Sequence, residues 1–250
     1  MEPNCYKLTD SKDGKYFTRN STIWGENKGH RAPGTGEICS SGWIHCYDTP
    51  LTAALFFPAH VRFARPVLWA ARWAGDTIND NGVKRGVQNL RTLYRVPFPR
   101  LTILQRLHIA ARVIMKAYPF WTYQDMLRRY MQKDFALSLK EVDEDISIIR
   151  AEQKKYLPKG EVAPAEAIDF FLWAVDKYVV SHPIPWYPVN KATKGAIEDI
   201  AVCLTSALSR PHNARVTIGD ILTIAEDVLK KNEYKSQGQQ KRTQGKRPAV

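Results

Sequence analysis

The sequence predicts an α+β fold: a small mixed or antiparallel-sheet domain, then a mostly α-helical domain, then a basic disordered tail. Three observations carry this. Strand-like alternation dominates up to Pro97-Phe98-Pro99. Apolar residues then recur at helical spacing from Leu104 to Leu229. From about Tyr234 the chain is Lys, Arg, Gln, Ser and Gly with no apolar period. The implied divisions are 1–98, 99–233 and 234–250.

In the first part, Cys5 to Leu8 reads as a strand, and Asp13-Gly14 as a turn leading to Tyr16-Phe17-Thr18 and Ile23-Trp24. Glu26 to Gly36 reads as loop. Gly36 to Phe57 reads as strand, turn, strand and helix. Thr49 is the N-cap, Pro50 suits the first turn, and Pro58 is the stop. Val67 to Ala74 reads as a mostly buried strand, Asp80-Asn81-Gly82 as a turn, and Arg85 to Val96 as a long strand. Alternation in that last strand puts Leu90, Thr92, Tyr94 and Val96 on one face and Arg91, Leu93 and Arg95 on the other.

In the second part, Leu104, Leu107, Ala111, Ile114 and Tyr118 mark one amphipathic helix, stopped by Pro119. Tyr123 to Phe135 and Leu139 to Tyr156 read as two more. Ile168 to Val179 and Ile197 to Leu208 form further apolar faces. The last helix opens at Thr217, with Asp220 three residues on as a capping partner.

The chain has 250 residues and a formal net charge of +12. A charge of this size bears on partners and not on fold. It is unevenly placed: residues 59–133 hold 14 basic and 3 acidic residues, residues 134–234 hold 12 and 16, and the tail holds five basic residues and no acid. Arginine predominates and suits phosphate through its planar fork. Tyr94, Trp69, Trp73 and Tyr130 interleave with these charges, an arrangement that can hold nucleic acid. The candidate nucleic-acid-binding residues are Arg62, Arg65, Arg72, Lys84, Arg85, Arg91, Arg95, Arg106, Arg112, Arg128 and Arg129, with Lys241, Arg242, Lys246 and Arg247 of the tail. An acidic protein is the alternative partner.

Chemistry is harder to place. Cys39, His45 and Cys46 cluster, but Cys39-x5-His45-Cys46 fits no tetrahedral zinc spacing. Alternation also sends His45 and Cys46 to opposite faces, which argues against a metal site and against a thiol–imidazole pair. No phosphate-binding or dinucleotide glycine motif is present, and no feature calls for a cofactor. Four cysteines without a C-x-x-C pair, no basic-then-apolar start and no apolar run of about 18 residues together predict a reduced, cytoplasmic protein away from membranes.

Tyr6-Lys7-Leu8-Thr9-Asp10, Gly36-Glu37-Ile38-Cys39, Gly42-Trp43-Ile44-His45, Pro50-Leu51, Trp73-Ala74-Gly75-Asp76 and Leu90 to Val96 form a pattern. Over residues 5–97 it resembles an uncharacterised domain family of phage and bacterial proteins. Gly42 and His45 here have two residues between them where the family pattern has one. The resemblance implies a phage-type accessory protein, in a host cytoplasm or a virion, and supplies no activity. More distantly, Gly42-Trp43-Ile44-His45 followed by a Pro-started helix is similar to the middle motif of ADP-ribosyltransferase-like folds. That likeness implies a nucleotide-using site near Tyr6 and His45 with a concave pocket beside them; Cys46 is a catalytic candidate only through the thiol–imidazole pairing considered above. The candidate strands carry no acidic residue after Asp80 to serve as the catalytic Glu of such folds. The expected function is nucleic-acid binding through the basic surface.

Overall fold

The computed structural model describes residues 2–18, 20–61, 63–118, 124–156, 163–181, 189–208 and 216–230. Arg62 and the basic tail, including Lys241, Arg242, Lys246 and Arg247, lie outside the described residues.

Strands β1 (Cys5–Lys12), β2 (Lys15–Phe17), β3 (Ile23–Trp24), β4 (Gly29–Arg31) and β5 (Ile44–Cys46) precede helix α1 (Pro50–His60). The long strands β6 (Pro66–Asp80) and β7 (Lys84–Val96) follow. All pairings are antiparallel, in the order β3-β2-β1-β6-β7-β4, with β5 pairing β7 as well. The sheet curls back on itself. Tyr6 of β1 and Tyr47, just past β5, exchange backbone hydrogen bonds of 2.8 and 2.9 Å. On that edge of β1, Tyr6 pairs with Tyr47 and Asp10 with Phe17, and no described strand pairs with the residues between them.

Both strong turn signals are turns. At the β6–β7 tip, Asn81 and Gly82 have φ of +47° and +80°, the pair of positive values that an Asn-Gly hairpin turn uses. A Cβ on Gly82 would lie 2.6 Å from Ile218 Cγ2, so the tip packs against the last helix. The stretch before His45 differs from expectation. Residues 36–41 form turns and not a strand, and Gly29–Arg31, expected as loop, is a short strand on β7.

Helix α1 begins as its sequence dictates: the Thr52 N–H donates to Thr49 Oγ1 at 3.0 Å. It does not stop at Pro58 but runs to His60. Proline has no N–H to give to the carbonyl four residues back, which is that of Ala54. That carbonyl accepts instead from Arg106 Nη1 at 3.0 Å. The bond comes from α2 (Ile103–Ala117), so one helix repairs the gap in another.

Strand β7 carries a second difference. Ala70 pairs with Tyr94 and Ala71 with Thr92, so Leu93 is an extra residue, a β-bulge. The expected alternation therefore breaks. Leu90 and Thr92 share one face with Arg95, whereas Arg91, Tyr94 and Val96 share the other.

The helices α2, α3 (Gln124–Gln132), α4 (Leu139–Tyr156), α5 (Ala163–Ser181), α6 (Val189–Leu208) and α7 (218–230) make up the rest. Helices α5 and α6 pair, and α1 and α2 pack on α6. A single apolar cluster runs from Leu8, Leu68 and Phe56 through Leu107 and Ile114 to Phe171, Ile200 and Leu204. It crosses the Pro97–Pro99 division that the sequence suggests. A smaller cluster of Cys5, Trp24, Cys46, Ala71, Val87 and Leu90 fills the other face of the curled sheet.

Candidate functional site

The expected basic surface separates into residues that are spent and residues that are free. Arg106 is 4% exposed and holds the Ala54 carbonyl. Lys84 is 5% exposed and lies inside the sheet half. Arg85 grips Asp48 with two hydrogen bonds, of 2.9 and 3.0 Å. Arg128 pairs with Asp125 and Arg129 with Asp145, while Arg112 is half-buried on α2. These residues do not make a continuous polyanion surface. Arg65 is exposed after α1, where its backbone N–H donates to Asp10.

Three exposed arginines do come together. Arg72 and Arg91 are directly opposite each other across β6 and β7. Arg31 pairs with Asn89, which puts its side chain on the same face, diagonal to Arg91. Cross-strand neighbours of this kind have Cβ atoms ~5 Å apart, and diagonal ones ~7–8 Å. Tyr94, 47% exposed, joins this face because of the bulge at Leu93. Among the described residues no carboxylate pairs with any of the three arginines. Arg95 points to the opposite face, where it donates to the Tyr16 hydroxyl at 3.3 Å and covers that ring.

His45 is part of a different feature. A cavity of about 670 Å3 opens beside β1 and β5 and is lined by Lys7, Arg31, Lys84, His30, His45 and His60, among others. Among the described residues no Asp or Glu lines it. Lys7 is 6% exposed; its Nζ donates to the His45 carbonyl at 2.7 Å and lies 5.2 Å from the Trp24 ring centroid. Burial lowers its ammonium to about 8. Lys84 Nζ lies 3.1 Å from Cys39 Sγ and 3.7 Å from Asp80. His45 Nε2 meets the Ile38 carbonyl and so carries its proton there. Burial lowers the His45 pKa, and Lys7 and Lys84 add to the effect, while the Ile38 carbonyl opposes it. His60 falls to about 4 through burial and then Lys84.

The other two catalytic candidates are elsewhere. Tyr6 packs into the main core and does not line the cavity. Cys46 is buried on the opposite side of its strand from His45, against Cys5, whose thiol is pushed up by contact with Cys46 and then by burial. No group of three or more His, Cys, Asp and Glu among the described residues could hold a metal ion. No helix among the described residues is long and apolar enough to cross a membrane. Of the two buried lysines, Lys84 is expected from the sequence on an exposed nucleic-acid-binding surface and is buried instead, while Lys7 is not among the expected site residues. The available signal was Lys7 between Cys5 and Thr9 at alternate positions of a strand, a charge in an otherwise apolar or small row.

No family model, no curated protein and no solved structure matches the chain.

Proposed function

We propose that the protein binds nucleic acid through the sheet face that carries Arg31, Arg72 and Arg91, with exposed Tyr94 as a stacking platform. The observation behind this reading is the Arg72–Arg91 pair, two like charges directly opposite on neighbouring strands with no carboxylate between them. Such a pair destabilises a sheet by a few tenths of a kcal/mol or more. A bound phosphate backbone turns that repulsion into attraction. Arginine forks suit phosphate oxygens, and an adjacent aromatic suits an unstacked base.

The test is anisotropy of a labelled single-stranded and a labelled double-stranded oligonucleotide, read across a salt series. Affinity falls steeply with salt, by about 0.7–0.9 in log–log slope per phosphate contacted. Arg72→Ala and Arg91→Ala each weaken binding and reduce that slope by about one. Arg128→Ala, on the far helices, changes neither. A flat salt response, or equal loss from Arg128→Ala, overturns the reading. If acidic proteins are retained and oligonucleotides are not, the same face serves a protein partner.

A further inference from the structure

Lys7 and Lys84 line the same cavity at 6% and 5% exposure. Lysine is almost never this buried without a countercharge. An ammonium has three donors. Lys7 has one acceptor, a backbone carbonyl, and one aromatic face. Lys84 has a thiol sulfur and an aspartate at 3.7 Å that is not part of the lining. Among the described residues the lining includes no carboxylate. The cavity thus gathers positive charge and hydrogen-bond donors in a partly desolvated place, where an anion is attracted most strongly.

The remaining lining narrows the choice of anion. About 670 Å3 lies within the range of sites that hold small organic ligands, and it exceeds what a bare inorganic ion fills. Thr18, Thr22, Ser40 and Ser41 offer hydroxyls, and Trp43 and Ile44 offer apolar surface. A phosphate monoester carries nearly two charges at neutral pH and three acceptor oxygens. Two ammonium groups and neighbouring hydroxyls match that group better than they match a single carboxylate.

We infer that this cavity binds a small phosphate monoester of the nucleotide class, its phosphate held by Lys7 and Lys84 and its organic part lying along Trp43 and the hydroxyls. The phosphate is assigned to Lys7 and Lys84 and not to Arg72 or Arg91, so neither reading depends on the other; Arg31 alone borders both places.

The test uses the full chain with AMP, inorganic phosphate and citrate as probes, followed by thermal unfolding and calorimetric titration at low salt. AMP raises the melting temperature more than inorganic phosphate does, and citrate leaves it unchanged. Lys7→Met and Lys84→Gln each weaken AMP at least tenfold, while Arg72→Ala leaves it unaltered. Lys7→Met also takes the donor from the His45 carbonyl, so its fold is checked by circular dichroism, and Lys84→Gln supplies the second, independent variant. A 5′-phosphorylated oligonucleotide that displaces AMP, where its 5′-hydroxyl counterpart does not, identifies the phosphate as that of a strand end. If neither displaces it, a free nucleotide is the source. No stabilisation of the wild-type chain by millimolar AMP or phosphate overturns the inference without recourse to any variant. Equal stabilisation by citrate, or full AMP affinity in folded Lys7→Met, also overturns it.

Discussion

Lys7 shows how one side chain can set a pH dependence. Its native ammonium titrates near 8, against 10.5 in an unfolded chain, chiefly because it is buried. Between those values the unfolded chain holds a proton that the native protein has shed, so stability rises with pH across that window, by up to ~1.4 kcal/mol per unit. Cys5 and Cys46 are the groups whose charge would oppose this. Lys7→Met removes the slope and, at pH 7, removes an unpaired buried charge. We expect it to be flatter than the wild type from pH 8 to 10 in urea denaturation; a matching slope in both proteins would contradict this. His60 acts at the acid end. It is neutral in the native state down to about 4 while the unfolded imidazole protonates near 6.5, so stability is lost as pH falls from 6.5 to 4. Lys84 strengthens that effect and Asp80 opposes it. His60→Gln should remove this loss, a difference read in the same titration. His45 is visible in the sequence as an unusual residue; Lys84 reads there as one exposed cation among many, and Lys7 does not stand out. A lysine at an alternate strand position ordinarily faces water. The His45 carbonyl and the Trp24 ring cover Lys7, and both come from other strands of the curled sheet.

Elements were legible where local chemistry decides them. The Asp13-Gly14 and Asn81-Gly82 turns, the Thr49-Pro50 helix start and the Thr217–Asp220 capping pair all follow from short-range hydrogen bonding and backbone preference. What eluded the sequence depends on distant partners. The bulge at Leu93 is defined by its register against β6, and it moves Tyr94 to the arginine face. The passage of α1 through Pro58 depends on Arg106, 52 residues from the carbonyl it supplies. This gives a test by double-mutant cycle. Arg106→Met leaves the Ala54 carbonyl buried without a donor, at a cost of about 1–3 kcal/mol. Pro58→Ala supplies an N–H in its place. In the Pro58→Ala background we therefore expect the Arg106→Met loss to be smaller by about 1 kcal/mol or more. Equal losses in both backgrounds, measured by urea denaturation, would mean that the proline and the arginine are not linked.

At the scale of the whole molecule, charge that is segregated along the chain is not segregated in space. Lys133 pairs with Glu141, Arg129 with Asp145 and Lys116 with Asp220, so acids from later in the chain pair with three of the fourteen basic residues of the segment before them. Counting charge by segment identified the excess correctly but could not say which arginines remain free. The same folding-back governs cohesion. Phe56 on α1 belongs to the sheet half by sequence, yet it is fully buried in the cluster that holds Phe171 of α5 and Ile200 of α6. The β6–β7 tip adds a second tie, since Gly82 is in close contact with Ile218. With one apolar cluster spanning both halves, neither can open without exposing the core of the other. We therefore expect cooperative unfolding, in which amides of β6–β7 and of α5–α6 exchange through one opening with the same denaturant dependence. Phe56→Ala, a loss of ~3–5 kcal/mol by the usual cost of emptying an aromatic site, should lower protection in both halves together. Hydrogen exchange followed by mass spectrometry separates the two segments directly. A fall confined to the sheet half would show that the halves are independent units, as the proline-bounded division at residues 97–99 suggests when the sequence is taken alone.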